Sequence, residues 1–382
     1  MLTGATGFVG RFLLSQIVNA TDAPVYCLVR ARSEANAWER LQTTLIKWDM
    51  WRGELARRLV PIPYDLRLPH LGVDGRAYRR LCEKVDTIFH CATSMNHLET
   101  YSMAAPANVY AVKELLKLAT QFRPKLINYI STLGIFTPIP GCAVREVDES
   151  TSIDHEIHRQ SSGYLATKWV GEQIIMTAVR RGIACNIFRL GLVWADAKRG
   201  RYDELQHYYR LLKTCLLSGV GIRNYRLEMM PVAVDDVSRA VVSLAKRHPE
   251  GSGIFHIAGR SGSLEDLFER CNRVYDTRLE LMPLRYWIQE INRRNQEGMS
   301  LPIAPLIEFY EQNQAYFRSL SYDCSRTGEE LRADDIEPRH LDDDLLRLTI
   351  ESMFSRDEDL HTLGFKGREA TNRSLEDRRP SN

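Results

Sequence analysis

Thr3-Gly4-Ala5-Thr6-Gly7-Phe8-Val9-Gly10, followed at once by Arg11-Phe12-Leu13-Leu14-Ser15-Gln16-Ile17-Val18, decides how the rest of the chain is read. Glycines at every third position suit a strand that turns sharply into a helix. The first glycine permits the tight turn, the second lets backbone approach a pyrophosphate, and the third lets helix meet strand. The open N–H groups of the helix N-terminus then face the phosphates. Such a loop is weak when it stands alone. Here an amphipathic run follows directly, and a short apolar strand, residues 24–30 (PVYCLVR), comes next.

Beyond it, strand-like runs alternate with helical ones. Residues 58–66 (RLVPIPYDL), 85–93 (VDTIFHCAT), 125–132 (KLINYIST) and 184–194 (ACNIFRLGLVW) carry apolar strand patterns, and residues 39–48, 108–122 and 164–181 have helical periodicity. Regular β-α alternation implies an α/β fold, a doubly wound parallel sheet of Rossmann-like type. After Trp194 longer helical segments with charged faces take over, while residues 230–237 and 253–259 supply one more helix and strand to the first domain. The expected division is therefore 1–194 plus about 228–259 for the cofactor domain. A smaller, mostly helical substrate domain takes about 195–227 plus 260–350. The polar stretch from about Gly364 is expected to be a disordered tail, assigned as 356–382.

The 382-residue chain suits two such parts. Lys plus Arg number 51 against 49 Asp plus Glu, so no global field attracts nucleic acid or a membrane surface. The eight cysteines (27, 82, 91, 142, 185, 215, 271, 324) include no C-x-x-C, which argues against zinc, a redox pair or a disulfide framework. No run of about 18 apolar residues is present. A cytoplasmic, monomeric protein without a metal site is expected.

Arg30 stands twenty residues after Gly10, where an NAD-binding chain usually places an acid against the ribose 2′-hydroxyl. An arginine suits a 2′-phosphate, so NADPH is the expected cofactor. Arg40 is a further candidate, with Arg32 more readily a solvated charge. Asp65, followed by Leu66, ends the third strand and is suited either to accept from the adenine amino group or to cap a helix. The expected cofactor set is Thr3, Gly4, Thr6, Gly7, Phe8, Val9, Gly10, Arg30, Arg40, Asp65, Leu66 and Lys168.

Ser131 and Thr132 end a strand, and 32 residues beyond Thr132 comes Tyr164-Leu-Ala-Thr-Lys168, whose i, i+4 spacing places tyrosine and lysine on one helical face. Carbonyl reduction builds negative charge on oxygen, so the site needs a positioned proton donor. A tyrosine beside an ammonium meets that need, with Thr132 as a second hydroxyl donor. Tyr209 and Lys213 repeat the spacing, but follow a later strand on the substrate-domain side. Thr132, Tyr164 and Lys168 are the expected catalytic residues.

Together TGATGFVGRFLL, LVRA, ERL, YDL, YIST, SGYLATKWVGEQ, FRLGLVWAD, VAVDDV, IFHIAG and YDCSRTGEEL resemble the thioester reductase domains that terminate nonribosomal peptide and polyketide synthetases and carboxylic acid reductases. These are extended short-chain dehydrogenases. The resemblance runs from about residue 2 to about residue 355. It implies NADPH bound by Gly4, Gly7, Gly10, Arg30 and Arg40, with catalysis by Thr132, Tyr164 and Lys168. It further implies hydride transfer to an acyl thioester on the phosphopantetheine arm of an acyl or peptidyl carrier protein, giving an aldehyde or, after a second reduction, an alcohol. Two departures stand out. The first strand is shorter than the family's, as in a fragment or a miscalled start, and residues 196–202 (DAKRGRY) replace a segment that more usually contains glycine and serine. Lys198, Arg199 and Arg201 there suit either a pantetheine phosphate or plain solvation.

Rival readings are a nucleotide-sugar or fatty acyl-CoA enzyme of the same fold, a non-catalytic NADP-sensing regulator, and a cysteine acyl acceptor at Cys91 or Cys185. The regulator has no need of Thr132, Tyr164 and Lys168 together, and both cysteines sit in apolar strand-like runs.

Overall fold

The computed structural model describes residues 1–96, 98–136, 145–154, 162–224, 229–312 and 320–363, without the side chains of 309 and 312. Contacts divide the chain into two units, one of residues 1–193, 230–260 and 318–340, the other of 194–229, 261–317 and 341–382.

The first unit is built on seven strands: β1 (Leu2–Thr3), β2 (Val25–Arg30), β3 (Leu59–Tyr64), β4 (Thr87–His90), β5 (Leu126–Thr132), β6 (Cys185–Leu190) and β7 (Ile254–Ile257). Their order across the sheet is β7-β6-β5-β4-β1-β2-β3, and every pairing is parallel. This is the doubly wound Rossmann arrangement, in which the strand order reverses beside β1 and ligands bind at the strands' carboxyl ends. Helices cover both faces, so the strands are largely buried: β2 is buried from Val25 to Val29, with only Arg30 exposed. One core cluster unites α1 (Phe8–Ala20), α2 (Glu34–Lys47) and a later helix, Val234–Arg247, through Leu13, Leu41 and Val241. On the other face Leu81, Leu115 and Ile175 pack over Leu28, Ile88 and Ile127.

Inside this core lies an ion pair. Arg189 on β6 reaches Glu172 at 2.9 Å, with the two side chains 1% and 0% exposed. Arg189 also meets His256 Nε2 at 3.3 Å and lies over the Phe136 ring, 4.9 Å from its centroid.

The second unit contains helices His207–Ser218, Leu264–Tyr275, Leu284–Gln296 and Asp343–Arg356, and a parallel pair of short strands, Val220–Arg223 with Glu280–Pro283. Trp287 is fully buried there and donates to the Val220 carbonyl at 3.3 Å.

Two boundaries differ from the sequence expectation. Residues 318–340 belong with the first unit, not the substrate domain, because Leu320–Tyr322 pairs with Arg145–Val147 and Thr327 donates to the buried Glu149. The expected tail starts too early at 356. Glu358–Thr362 is helical, with Leu360 buried, and the Asp357 side chain caps it. Residues 364–382 lie outside the described residues.

Glu172→Gln should destabilise the protein by about 3–5 kcal/mol in urea unfolding, because it strands a buried guanidinium. The double replacement Glu172→Leu with Arg189→Met should recover most of that loss. A single variant as stable as the parent would show that the pair is not desolvated as described.

Candidate active site

The glycine turn is shaped by what it excludes. Gly4 has φ +78°, in the left-handed region that side chains rarely adopt, and a Cβ on Gly10 would overlap the Gly4 carbonyl oxygen. The turn closes through Gly7 N–H donating to Gly4 O at 2.8 Å. Gly7 then caps α1, whose first N–H groups, those of Phe8, Val9 and Gly10, have no preceding turn to bond to. This is the cradle a pyrophosphate needs, so the residues present fit a dinucleotide.

The expected loop residues divide by role. Thr6 and Gly7 are accessible, whereas Phe8 is buried against Phe12 and Trp48, so only its backbone faces a phosphate. The Thr3 side chain is buried too: its hydroxyl lies 2.8 Å from His90 Nδ1 and accepts from Ala92 N–H at 3.1 Å. Sequence reasoning missed two supports here. His90 ties the ends of β1 and β4 together, and burial with the neighbouring Lys168 charge lowers its pKa to about 3, so the ring is neutral. Arg11 turns back under the loop, donating to Gly7 O at 2.9 Å and stacking on Trp48 at 4.1 Å. Its place directly after Gly10 was the available signal.

At the far end of β2, Arg30 is exposed, and the Arg40 guanidinium from α2 donates to the Arg30 carbonyl, so the two expected cations come together. The register places Arg30 beside Tyr64. Asp65 caps no helix. It forms an Asx turn on Arg67 N–H at 3.0 Å and pairs with the Arg67 guanidinium at 2.6 Å, and that partner holds its carboxyl below the usual range. Leu66 beside it is buried.

The catalytic candidates occupy the carboxyl end of β5 and the following helix, α3 (Gly163–Arg180), which Ser162 caps by accepting from Leu165 N–H. Thr132 accepts from Gly134 N–H at 3.1 Å, which leaves its own hydroxyl proton to give. Lys168 is 4% exposed and donates to the Ile130 carbonyl at 2.7 Å, with its Nζ 4.8 Å from the centre of the Tyr129 ring. Desolvation lowers its pKa to about 8 against the pull of Cys91 and Glu172. Burial pushes the Tyr164 phenol up, so it keeps its proton at neutral pH. The carbonyl that Lys168 holds is two residues before Thr132, and Tyr164 stands one turn before Lys168 on α3.

The second Tyr-x-x-x-Lys pair is structural. In the second unit, Tyr209 donates to Asp357 at 3.0 Å and Lys213 pairs with Asp357 at 2.7 Å and Asp359 at 2.6 Å, fastening helix Glu358–Thr362. Lys198 and Arg199 are exposed, Arg201 is buried, and Asp196 orders this turn by accepting from the N–H groups of all three. Burial raises the thiols of Cys91 to about 11 and Cys185 to about 12, so neither is a ready acyl acceptor. Among the described residues no helix is long and apolar enough to cross a membrane.

Comparison with known proteins agrees with this geometry. Residues 2–241 match the family model described as male sterility protein. The chain is 30% identical over 361 residues to a linear gramicidin synthase of Brevibacillus parabrevis, covering 92% of this chain and 7% of that protein. The terminal R domain from the myxalamid PKS-NRPS biosynthetic pathway matches with TM-score 0.84 and 28% identity, over 93% of this chain and 90% of that one. A thiolation-reductase di-domain from an archaeal nonribosomal peptide synthetase shares the fold, with TM-score 0.74 and 20% identity over 94% of this chain and 75% of that one. The chain spans 7%, 31% and 33% of the lengths of the first curated relatives it matches.

Because the folded pKa of Lys168, about 8, lies below the ordinary 10.5, the unfolded chain binds more protons between those values, and stability should rise with pH across that window. Lys168→Met should flatten this rise, with a gain of up to about 3 kcal/mol at pH 7. Chemical denaturation at pH 7, 8.5 and 10 measures it; an unchanged slope in the variant would refute the assignment.

Proposed function

The chain belongs to the male sterility protein family, matched over residues 2–241, and on that premise we propose that it is an NADPH-dependent reductase of carrier-bound acyl thioesters, releasing an aldehyde. The observation that carries this reading is the buried Lys168, held by a carbonyl of β5 two residues before Thr132 and one turn after Tyr164 on α3, in a sheet whose β1 ends in the glycine cradle. The linear gramicidin synthase and the myxalamid R domain are supporting likenesses, and the archaeal di-domain joins a thiolation part to a reductase.

NADPH, when bound, would supply the hydride. Gly4, Gly7 and Gly10 would hold its pyrophosphate, Arg30 and Arg40 the 2′-phosphate, and Asp65 with Leu66 would border the adenine. As negative charge grows on the thioester oxygen, Tyr164 gives up its proton and Thr132 donates a second hydrogen bond. The Lys168 ammonium, fixed by the Ile130 carbonyl, stabilises the phenolate left behind. The resulting hemithioacetal returns its hydroxyl proton to the Tyr164 phenolate as its C–S bond breaks, and the departing thiolate takes a proton from water to become thiol.

A thioester suits this site because sulfur donates weakly to the carbonyl and thiolate leaves readily. A free acid offers only a carboxylate, which opposes hydride attack. The sequence contains no G-x-x-x-x-G-K-[ST] loop for ATP activation. Activation therefore takes place elsewhere, and the acyl group arrives on a pantetheine arm, the protein acting as one part of a larger synthetase or in trans.

The decisive experiment follows NADPH consumption with one acyl group offered as free acid, as CoA thioester and on a carrier protein. Expected are no turnover, slow turnover and fast turnover; equal CoA and carrier rates reject the carrier partner, and turnover of the acid without ATP rejects the mechanism. Tyr164→Phe should lower kcat by about two orders of magnitude or more with NADPH affinity nearly unchanged. If Tyr209→Phe were the damaging change instead, the catalytic pair would be misassigned.

Cofactor choice has its own test. Arg30→Ala should weaken NADPH binding by roughly ten- to a hundredfold, the loss of a charge-assisted hydrogen-bond set, and NADH binding far less. Equal losses for both cofactors would remove Arg30 from the 2′-phosphate site.

A further inference from the structure

Downstream of β4 the chain exposes large apolar side chains close together in sequence. Met95 is 45% exposed, Leu98 52% and Tyr101 42%. The backbone that bears them is firmly tied. Asn108, buried in a single turn of π-helix (Pro106–Tyr110), accepts from Ser94 N–H at 2.7 Å and the Thr93 hydroxyl at 3.0 Å. It donates to the Ser94 carbonyl at 3.0 Å and to Thr167 Oγ1 at 2.9 Å, and Thr167 donates to the Tyr164 carbonyl at 2.7 Å. Ser94 also donates to Glu99 at 2.8 Å, and Leu98 N–H to Asn96 Oδ1 at 3.1 Å.

This segment adjoins the catalytic tyrosine. Gly163, the residue before Tyr164, has no room for a Cβ, which would overlap the Glu99 carbonyl oxygen and crowd Thr100 and Tyr101. Residues 99–101 thus lie directly on the N-terminus of α3, with Leu98 one residue away. Chemistry narrows the occupant. Residues 91–112 contain no Lys or Arg, so no lysine or arginine here meets a pantetheine phosphate, and the only carboxylate, Glu99, is bonded to Ser94. Exposed apolar side chains without such cations, on a segment packed against the start of α3, suit the hydrocarbon part of a substrate.

We propose that Met95 and Leu98 contact the aliphatic chain of the acyl group, so that the substrates are thioesters of extended apolar acyl chains, not of short or polar ones. The inference rests on the thioester reading above and adds its substrate class.

The test separates the two. S-butyl and S-octyl pantetheine thioethers, which have no carbonyl to reduce, are titrated calorimetrically into the NADPH-bound protein, and NADPH consumption is followed with the matching butanoyl and octanoyl thioesters. Affinity should rise about fourfold for each methylene that is buried. The double variant Met95→Ser with Leu98→Asp should lose at least tenfold more affinity for octyl than for butyl thioether. Both positions are exposed, so folding is not at stake. Phe122→Asn, at a 68% exposed position elsewhere on the same unit, should keep the parent's chain-length dependence. Length-independent binding by the parent, or equal losses for both ligands in the double variant, overturns the acyl contact. Length-dependent binding without any turnover supports the apolar surface and overturns the reaction assigned above.

Discussion

The turn from β1 into α1 has room for only one atom type at Gly10, a hydrogen, because the Gly4 carbonyl oxygen lies where a Cβ would stand. That closeness aims the N-terminus of α1 past the end of β1, and helix, strand and loop then move as one piece. Arg11 holds the loop from below through the Gly7 carbonyl, and Phe8 anchors it in the aromatic cluster with Phe12 and Trp48. The proposed dinucleotide site depends on this geometry, since phosphate groups there would meet backbone N–H groups that no side chain can replace.

From β1 the organisation passes sideways through buried polar contacts. Thr3 meets the neutral His90 on β4, the His90 ring lies 5.8 Å from Tyr129 on β5, and Lys168 spans the Tyr129 ring to bond Ile130 O. One turn further along α3, Glu172 is committed to Arg189 on β6. Low dielectric makes each of these contacts strong when satisfied and costly when broken. It also explains the protonation states: a second cation at His90 beside Lys168 would be repelled, and burial keeps the ring neutral.

The same motif does opposite work in the two units. Tyr164 and Lys168 lie on α3, and the Ile130 carbonyl on β5, the strand that Thr132 ends, positions the ammonium. Tyr209 and Lys213 use the same i, i+4 spacing to grip Asp357 and Asp359. Spacing on a helix face brings tyrosine and lysine together in either case. What stands opposite the pair differs: the β5 carbonyl of Ile130 in one unit, two carboxylates in the other.

Local order was legible in the amino-acid sequence alone: the glycine turn, the β-α alternation, the parallel doubly wound sheet, and the residues ending β2 and β5 all rest on short-range periodicity and steric rules that survive without knowledge of partners. Long-range polar pairing was not legible. Nothing in the pattern showed that Thr3 spends its hydroxyl on His90, that Asp65 turns to Arg67 instead of capping a helix, or that Glu172 and Arg189 meet in the core. The helical end at 358–362 and the return of residues 318–340 to the first unit escaped for the same reason, since Leu320–Tyr322 pairs with a strand some 175 residues earlier. Periodicity records which face of an element is buried; only the folded chain determines which distant residue buries it, and that choice turned a set of hydroxyls, amines and carboxylates into a site.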